Sequence, residues 1–598
     1  MSDRAVAWWV RAALALPFVV ALITLATTHW SPVLDLAMTE LRVRDVLGRH
    51  TPLIGLPGRI GVFPNQGSHP GPLSFYLLAP VYRLLGSTSY ALLVSATVIN
   101  VGAAWLAITL AARRGGRRLI VGVGAVLMVL CAWFGASVLT QPWNPYLPLV
   151  SFVVVLLATW GVVEGDHILL VPLVFFASLC AQTHVPYLAL SVALCGFAFG
   201  VVAWRWWQAR SINHTQRRSV AVAVGLGALL WLPVFFDEFR HTPGNITMLR
   251  RHFLSPPEQP VGWGQGLKTV LAHFDVTHIV IGTIGRSSYW VDRLDNLADG
   301  SWVVGAVVLL VWIAAIAVSW RLPDRRIFRL HLVTAVAFVV VLASTARIFG
   351  KIWYYLTLSN WIVAALAVAA TVWTFVAWWE GSGRRRIPVT RLCAAVLVLA
   401  AVALVQDALT VDPPEARLSR VLTAVVEPTA DALDEGVGAA DGRDGVYAVV
   451  WDDAYYFGSQ GFGLINELER RGFTVRVYDT YRVPVTPQRV TDAAHVTAEV
   501  VLATGVNVEK WRARDGVQEV AFFEPRSAAE LTEFEHLRSE SISRLRASGL
   551  DELVELVDSN LFGARVDPRL PPDVEAMLAR MLVLGEQTAV FIAPAGTH

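Results

Sequence analysis

Two carboxylates, Asp35 and Glu40, stand in a short polar stretch directly after the first long apolar run, with Arg42, Arg44 and Asp45 close behind. A carboxylate in such a place can take the proton of a hydroxyl, and the arginines can offset its charge or hold a phosphate. Five positions on a regular helix set two side chains about 140° apart. The two carboxyls converge only if Asp35 precedes the helix as its N-cap, accepting N–H groups of the first turn. An N-cap aspartate among solvated charges is the plainer alternative.

Further polar groups recur between apolar runs. His69 follows Asn65, Gln66 and Ser68 and precedes Pro70-Gly71-Pro72. Asn144 lies within Thr140-Gln141-Pro142-Trp143-Asn144-Pro145-Tyr146, and His184 within Gln182-Thr183-His184-Val185-Pro186-Tyr187. An amide there can fix a broken helix end or bind a sugar hydroxyl, whereas Trp and Tyr commonly anchor helix ends at a membrane interface. Asp237 and Glu238 open a long connection, and Arg347, Lys351, Trp353, Tyr354 and Tyr355 crowd a short one. Outward basic groups at membrane depth need an anionic partner, either a phosphate or Asp237 and Glu238 themselves.

Other chemistries find less support. His69, His184 and His252 lack the recurring spacing of zinc ligands. A divalent ion beside the first-loop carboxylates stays open, and no cofactor is required. Gly461-Phe462-Gly463 is too weak a signal for a nucleotide site, and no phosphate-cradling loop is present, which argues against a nucleotide-driven pump. Asp452-Asp453, at the end of an expected strand, reads as a solvated acidic pair.

The elements that must position these residues are mostly membrane helices. Of 598 residues, 55% are hydrophobic and 16% charged, against about 25% charged in soluble domains. Apolar runs predict spans over 12–30, 88–111, 118–138, 146–163, 168–182, 185–204, 219–236, 302–320, 331–346, 353–377 and 391–407, about 11 in all. The first is read as an uncleaved helix rather than a signal peptide. Leu73–Leu85 is read as an interfacial helix, and Leu36–Leu47 as a short amphipathic one. Eleven spans put the four arginine clusters (113–118, 205–218, 321–326 and 384–386) and Arg4 on one side. The positive-inside rule makes that side cytoplasmic. The N-terminus is then cytoplasmic, and the polar loops and everything beyond residue 408 lie outside.

Charge divides the chain the same way. Residues 1–410 carry 31 Lys and Arg against 16 Asp and Glu, and the remainder 18 against 31. The basic residues sit in short connections, so nucleic acid is not an expected partner. All four cysteines lie in apolar segments, which leaves the tail without a disulfide framework. The organisation predicted is a membrane domain over 1–407, a linker over 408–444 with a helix near 416–434, and a domain over 445–598. In that last domain strands near 446–451, 474–478, 500–504, 519–523 and 589–592 alternate with helices near 463–471, 529–546, 550–558 and 572–581. The alternation predicts a small α/β fold.

Taken in order, Asp35-Leu36-Ala37-Met38-Thr39-Glu40 with Leu41-Arg42-Val43-Arg44-Asp45-Val46, His69-Pro70-Gly71-Pro72-Leu73, Phe75-Tyr76-Leu77-Leu78 and Trp143-Asn144-Pro145 resemble the polyprenyl-phosphate-dependent membrane glycosyltransferases of GT-C fold. The likeness is to the group related to protein mannosyltransferases and aminoarabinose transferases, over roughly residues 10–380. It implies a multi-spanning all-α membrane protein with an extracytoplasmic α/β domain, in a bacterial cell membrane. The implied activity is sugar transfer from a polyprenyl-phosphate donor to an envelope glycan, lipid or protein. The family's first-loop base falls on Asp35 by position, with Glu40 the other choice because the usual adjacent acidic residues are absent. The implied substrate-binding set is Arg44, His69, Asn144, His184, Asp237, Arg347, Lys351 and Tyr354, with Arg347 or Lys351 on the lipid phosphate. A non-enzymatic envelope assembly or glycan-binding protein is the alternative. A lipid or sugar transporter would need polar groups near mid-membrane, which the sequence does not place there.

Overall fold

The computed structural model describes residues 2–61, 65–210, 213–278, 300–384, 386–456, 458 and 460–598. Pro64 of the first polar stretch, Arg385 of the fourth arginine cluster and positions 279–299 of the long connection lie outside the described residues. The chain divides into two compact units. Residues 1–27 and 46–412 make one, and residues 28–45 join 413–598 in the other. The segment carrying Asp35 and Glu40 thus folds with the tail.

In the first unit, nine described helices are long and apolar enough to cross a membrane. They are Asp3–Ala26, Ser89–Arg114, Arg117–Phe134, Pro186–Ala209, His214–Arg240, Trp302–Arg321, Arg325–Ala346, Leu358–Gly381 and Val389–Leu409. Each falls on an expected span. Two further expected spans are the shorter apolar helices Pro148–Val163 and His167–Thr183. Leu73–Leu84 has 12 residues, about 18 Å at 1.5 Å per residue and too short for a core of about 30 Å.

Boundaries differ from the sequence expectation for local reasons. The first helix begins at Asp3, where the Ser2 side chain accepts the Ala5 N–H, and ends by Ala26 rather than at 30. The third stops at Phe134 because Gly135 takes φ +85, a left-handed conformation that no helix continues through. A five-residue helix, Ala136–Thr140, follows. Its first N–H is donated to Asp407 Oδ2 at 2.6 Å, so the last span caps the short helix from across the bundle.

Burial separates inner from outer helices. All sixteen residues of Pro148–Val163 are buried, as befits a helix apolar on every side and enclosed by others. It packs on Ser89–Arg114, Leu170–Thr183 and Pro186–Ala209. His214–Arg240 and Trp302–Arg321 instead leave most of their apolar side chains uncovered, as lipid-facing helices do.

Residues 57–60 and 67–68 form a small antiparallel ribbon in the first unit, β1 (Pro57–Ile60) and β2 (Gly67–Ser68). The tail unit holds a five-stranded sheet of β3 (Val446–Asp452), β4 (Thr474–Arg476), β5 (Ala498–Thr504), β6 (Gln518–Phe523) and β7 (Thr588–Pro594), ordered β4-β3-β5-β7-β6. β3 runs parallel to β4 and β5, while β7 is antiparallel to β5 and β6. Every residue of β5 is buried, which places the core at the sheet's middle. The helix Gly461–Arg470 makes the crossover from β3 to β4. The helix Ala416–Asp434, expected within a linker, buries ten residues and packs on β6, β7 and Gly461–Arg470.

Candidate active site

Leu34–Asp45 is one helix of twelve residues, with Asp35 in its first turn. The N-cap geometry that would let Asp35 and Glu40 converge is therefore not adopted, and the two project from different sides. Glu40 is 0% exposed and ion-paired with Arg470. Asp35 is partly accessible.

The rest of the helix is clamped to the tail. Arg42 is buried and donates to the carbonyls of Pro484 at 2.9 Å and Val483 at 3.0 Å. Arg44 donates to Asn466 Oδ1 at 3.1 Å and lies 3.3 Å from Glu469. Asp45 accepts from Arg489 at 2.7 and 3.0 Å, and Arg489 reaches Glu469 at 2.8 Å. Asn466 donates to the Ala37 carbonyl at 2.9 Å. The two glycines around Phe462 serve this packing. A Cβ on Gly463 would lie 2.5 Å from the Pro32 carbonyl oxygen and 2.3 Å from Leu422, and one on Gly461 would strike the Trp451 ring.

Two hydrogen bonds bring a third carboxylate toward Asp35. Trp30 Nε1 donates to the Pro414 carbonyl at 2.8 Å, and the Ser31 N–H to Ser419 Oγ at 2.9 Å. Glu415, at the start of Ala416–Asp434, keeps access to solvent. The surrounding protein, and second the charge of Asp35, push its carboxyl up to about 7. Burial raises the nearby Tyr456 hydroxyl, on which Glu415, Arg565 and Asp35 also act electrostatically. The sequence reading missed Glu415, Tyr456 and Arg565. Only the Pro413-Pro414 pair before Glu415 marks a rigid start there.

Asp452 and Asp453 are partly exposed and also hydrogen-bonded within the tail unit. Asp452 accepts from Trp511 Nε1 at 2.6 Å. Asp453 accepts the N–H groups of Tyr455 and Tyr456 and the Thr504 hydroxyl at 2.6 Å.

The first unit gathers a different set. The rings of His69 and His184 are 5.0 Å apart, and the Val185 N–H donates to His69 Nδ1 at 3.2 Å. Burial lowers His69 to about 4, and burial with His69 as neighbour holds His184 well below its usual range. Both shifts favour the neutral imidazole. His184 also lies near Tyr187 and Tyr355, and Tyr355 near Trp143 at 5.4 Å. The hydroxyls of Tyr146 and Tyr354 share a hydrogen bond of 2.6 Å. Asn144 is buried in the turn between Trp143 and Tyr146.

Asp237 belongs to the scaffold of this set. It is buried, faces His241 Nδ1 at 2.9 Å and accepts the Asn245 N–H at 3.0 Å. Asn245 in turn accepts the Ser68 N–H at 2.8 Å and donates to the Ser68 and His69 carbonyls, tying the His69 loop down. Glu238 accepts from the Thr247 N–H at 3.1 Å. Arg347 donates to the Phe253 carbonyl at 3.2 Å and stacks on Phe349. Lys351 Nζ is 5.0 Å from the centre of the Trp353 ring, on which Arg59 also stacks. Trp353 stacks on Tyr355, which joins this cationic rim to the histidine cluster.

A small apolar pocket lies between helices of the same unit, lined by Leu127, Leu130, Cys131, Phe134, Val150 and Ile362 among others. Among the described residues, no group of three or more His, Cys, Asp or Glu converges to hold a metal. The four cysteines are free.

No family model and no curated protein matches the chain. Among solved structures, ArnT from Cupriavidus metallidurans bound to undecaprenyl phosphate is 14% identical with a TM-score of 0.49, over 86% of this chain and 96% of that one. The same protein in the apo state is 13% identical with a TM-score of 0.47, over the same shares. The archaeal oligosaccharyltransferase AglB from Archaeoglobus fulgidus, with an inhibitory peptide and a dolichol-phosphate, is 12% identical with a TM-score of 0.39, over 83% of this chain and 70% of that one. At these identities and scores the likenesses assign no family to this chain.

Proposed function

We propose that this protein is a membrane glycosyltransferase that moves a sugar from a polyprenyl-phosphate donor to a hydroxyl of an extracytoplasmic envelope acceptor. The observation that carries the reading is the division of labour within the helix Leu34–Asp45. Glu40, Arg44 and Asp45 are held by Arg470, Asn466, Glu469 and Arg489, and Asp35 is partly accessible at the end next to Glu415. An acceptor can approach Asp35 and cannot approach the fully buried Glu40.

In this reading Asp35 takes the proton of the acceptor hydroxyl as its oxygen attacks the anomeric carbon. The bond from that carbon to the phosphate oxygen breaks, and polyprenyl phosphate leaves with the electron pair. Arg347 and Lys351 are the cations assigned to the phosphate as charge develops. His69, Asn144, His184 and Tyr354 are assigned to the sugar. Asp237 supports the His69 loop through Asn245, and Arg44 belongs to the clamp. Eleven membrane helices with a cytoplasmic N-terminus set the tail outside the cell, in keeping with the arginine clusters. The lipid-linked donor supplies the activated sugar, so no nucleotide loop is needed.

Transfer of radiolabel from a panel of polyprenyl-phosphate sugars into envelope acceptors, in membranes with and without the protein, tests the activity. Label that appears only with the protein supports it. Protein-independent labelling with every donor and acceptor in the panel contradicts it.

A further inference from the structure

Three polar atoms on adjoining elements of the membrane unit are buried without a hydrogen-bond partner among the described residues: Asn144 Oδ1, His184 Nδ1 and Tyr187 Oη. Their residues are 7%, 2% and 1% exposed. A buried polar group of this kind is stabilised by a polar guest that can hydrogen-bond it. The groups lie along one aromatic wall. His184 is 6.2 Å from Tyr187 and 6.3 Å from Tyr355 between ring centres, and Tyr355 is 5.4 Å from Trp143, the neighbour of Asn144.

Among the described residues, the wall is built of aromatic rings, imidazoles and an amide, none with a fixed charge. His69 Nδ1 accepts the Val185 N–H, so it carries no proton, and its imidazole is neutral. The rings in contact with His184 are His69, Tyr187 and Tyr355. An amide oxygen, a neutral imidazole nitrogen and a phenol hydroxyl exchange hydrogen bonds with sugar hydroxyls, and aromatic faces cover the apolar face of a sugar ring. A cationic amine or a carboxylate buried here would lack a counter-charge and would be disfavoured.

We infer that Asn144, His184 and Tyr187 seat the sugar of the donor, and that this sugar is a neutral hexose or pentose rather than an amino sugar or a uronic acid. The inference rests on the transferase reading and narrows its substrate class. Lys351 and Arg59, stacked on Trp353 beyond Tyr355, mark the edge of the wall where an anion is tolerated.

The test is equilibrium binding to the full-length protein in nanodiscs. The probes are bare polyprenyl phosphate, the same lipid carrying a neutral pentose, and the same lipid carrying a 4-amino pentose. Wild-type protein is expected to hold the neutral-sugar lipid about tenfold more tightly than either other probe. Asn144→Ala is expected to remove about three- to tenfold of that advantage and to leave the affinity for bare lipid unchanged. Asn144→Asp is expected to reverse the preference toward the amino sugar, a gain that poor folding cannot mimic. Binding of the bare lipid with nothing added by the neutral sugar, or equal binding of the amino-sugar lipid, overturns this inference alone. No saturable binding of any probe overturns the transferase reading together with it.

Discussion

At the residue scale, two carboxylates five positions apart stand in different surroundings. Glu40 is fully buried against Arg470, and removing one partner of such a pair leaves a buried charge uncompensated. Arg470→Ala is expected to destabilise the tail unit by about 3 kcal/mol, read as a lower unfolding midpoint in denaturant. Asp35→Asn, at an accessible position, is expected to move that midpoint little. Glu415 makes a second residue-scale prediction. Its carboxyl is raised to about 7, with Asp35 as a charged neighbour, so as pH rises through about 7 it gains a negative charge, which would strengthen Asp35 in its proposed role as base. Its sign for stability is the opposite. The folded carboxyl holds its proton more tightly than the unfolded one, so its contribution is present below the ordinary carboxylate range and is lost as pH rises through about 7. The transfer rate is expected to climb through a limb near pH 7 that Glu415→Gln removes, measured as a pH profile at saturating donor.

At the element scale, glycine placement decides whether the helix Gly461–Arg470 can dock. Gly463→Ala sets a methyl 2.5 Å from the Pro32 carbonyl, and overpacking of this kind costs about 1–3 kcal/mol. A fall in the thermal midpoint of the full-length protein checks this, with Gly549→Ala, which meets nothing within 4 Å but has φ +69, as a comparison for backbone strain alone. Elements were also where the sequence was most legible. Apolar runs near twenty residues declare membrane helices, and the tail's strands and helices follow their hydrophobic periods closely. What could not be read was the company of the Leu34–Asp45 helix. Its partners Arg470 and Arg489 lie more than four hundred positions away, and no local pattern encodes such a pairing. The same distance hid Glu415 from Asp35, whereas His69 and His184 were legible because each sits in a proline-bounded turn between apolar runs.

At the scale of the whole molecule, the basic connections and the acidic tail predict opposite sides of the membrane. With the four native cysteines replaced, a single cysteine introduced at Thr597 is expected to react with a membrane-impermeant maleimide in intact cells. One introduced at Ser2 is expected to react only after the cells are opened. Equal labelling of both in intact cells would contradict the arrangement. If it holds, Asp35 and Glu415, which fold with the tail, lie on the outer side, as the proposed transfer requires.

The most direct measurement compares sugar transfer from a radiolabelled polyprenyl-phosphate donor by the wild type, Asp35→Asn and Glu40→Gln at matched protein levels. Asp35→Asn is expected to lower the rate at least a hundredfold, within the usual range of about 10²–10⁴ for loss of a general base. Glu40→Gln is expected to keep the activity of whatever fraction remains folded. Full transfer by Asp35→Asn would contradict the proposed role of Asp35.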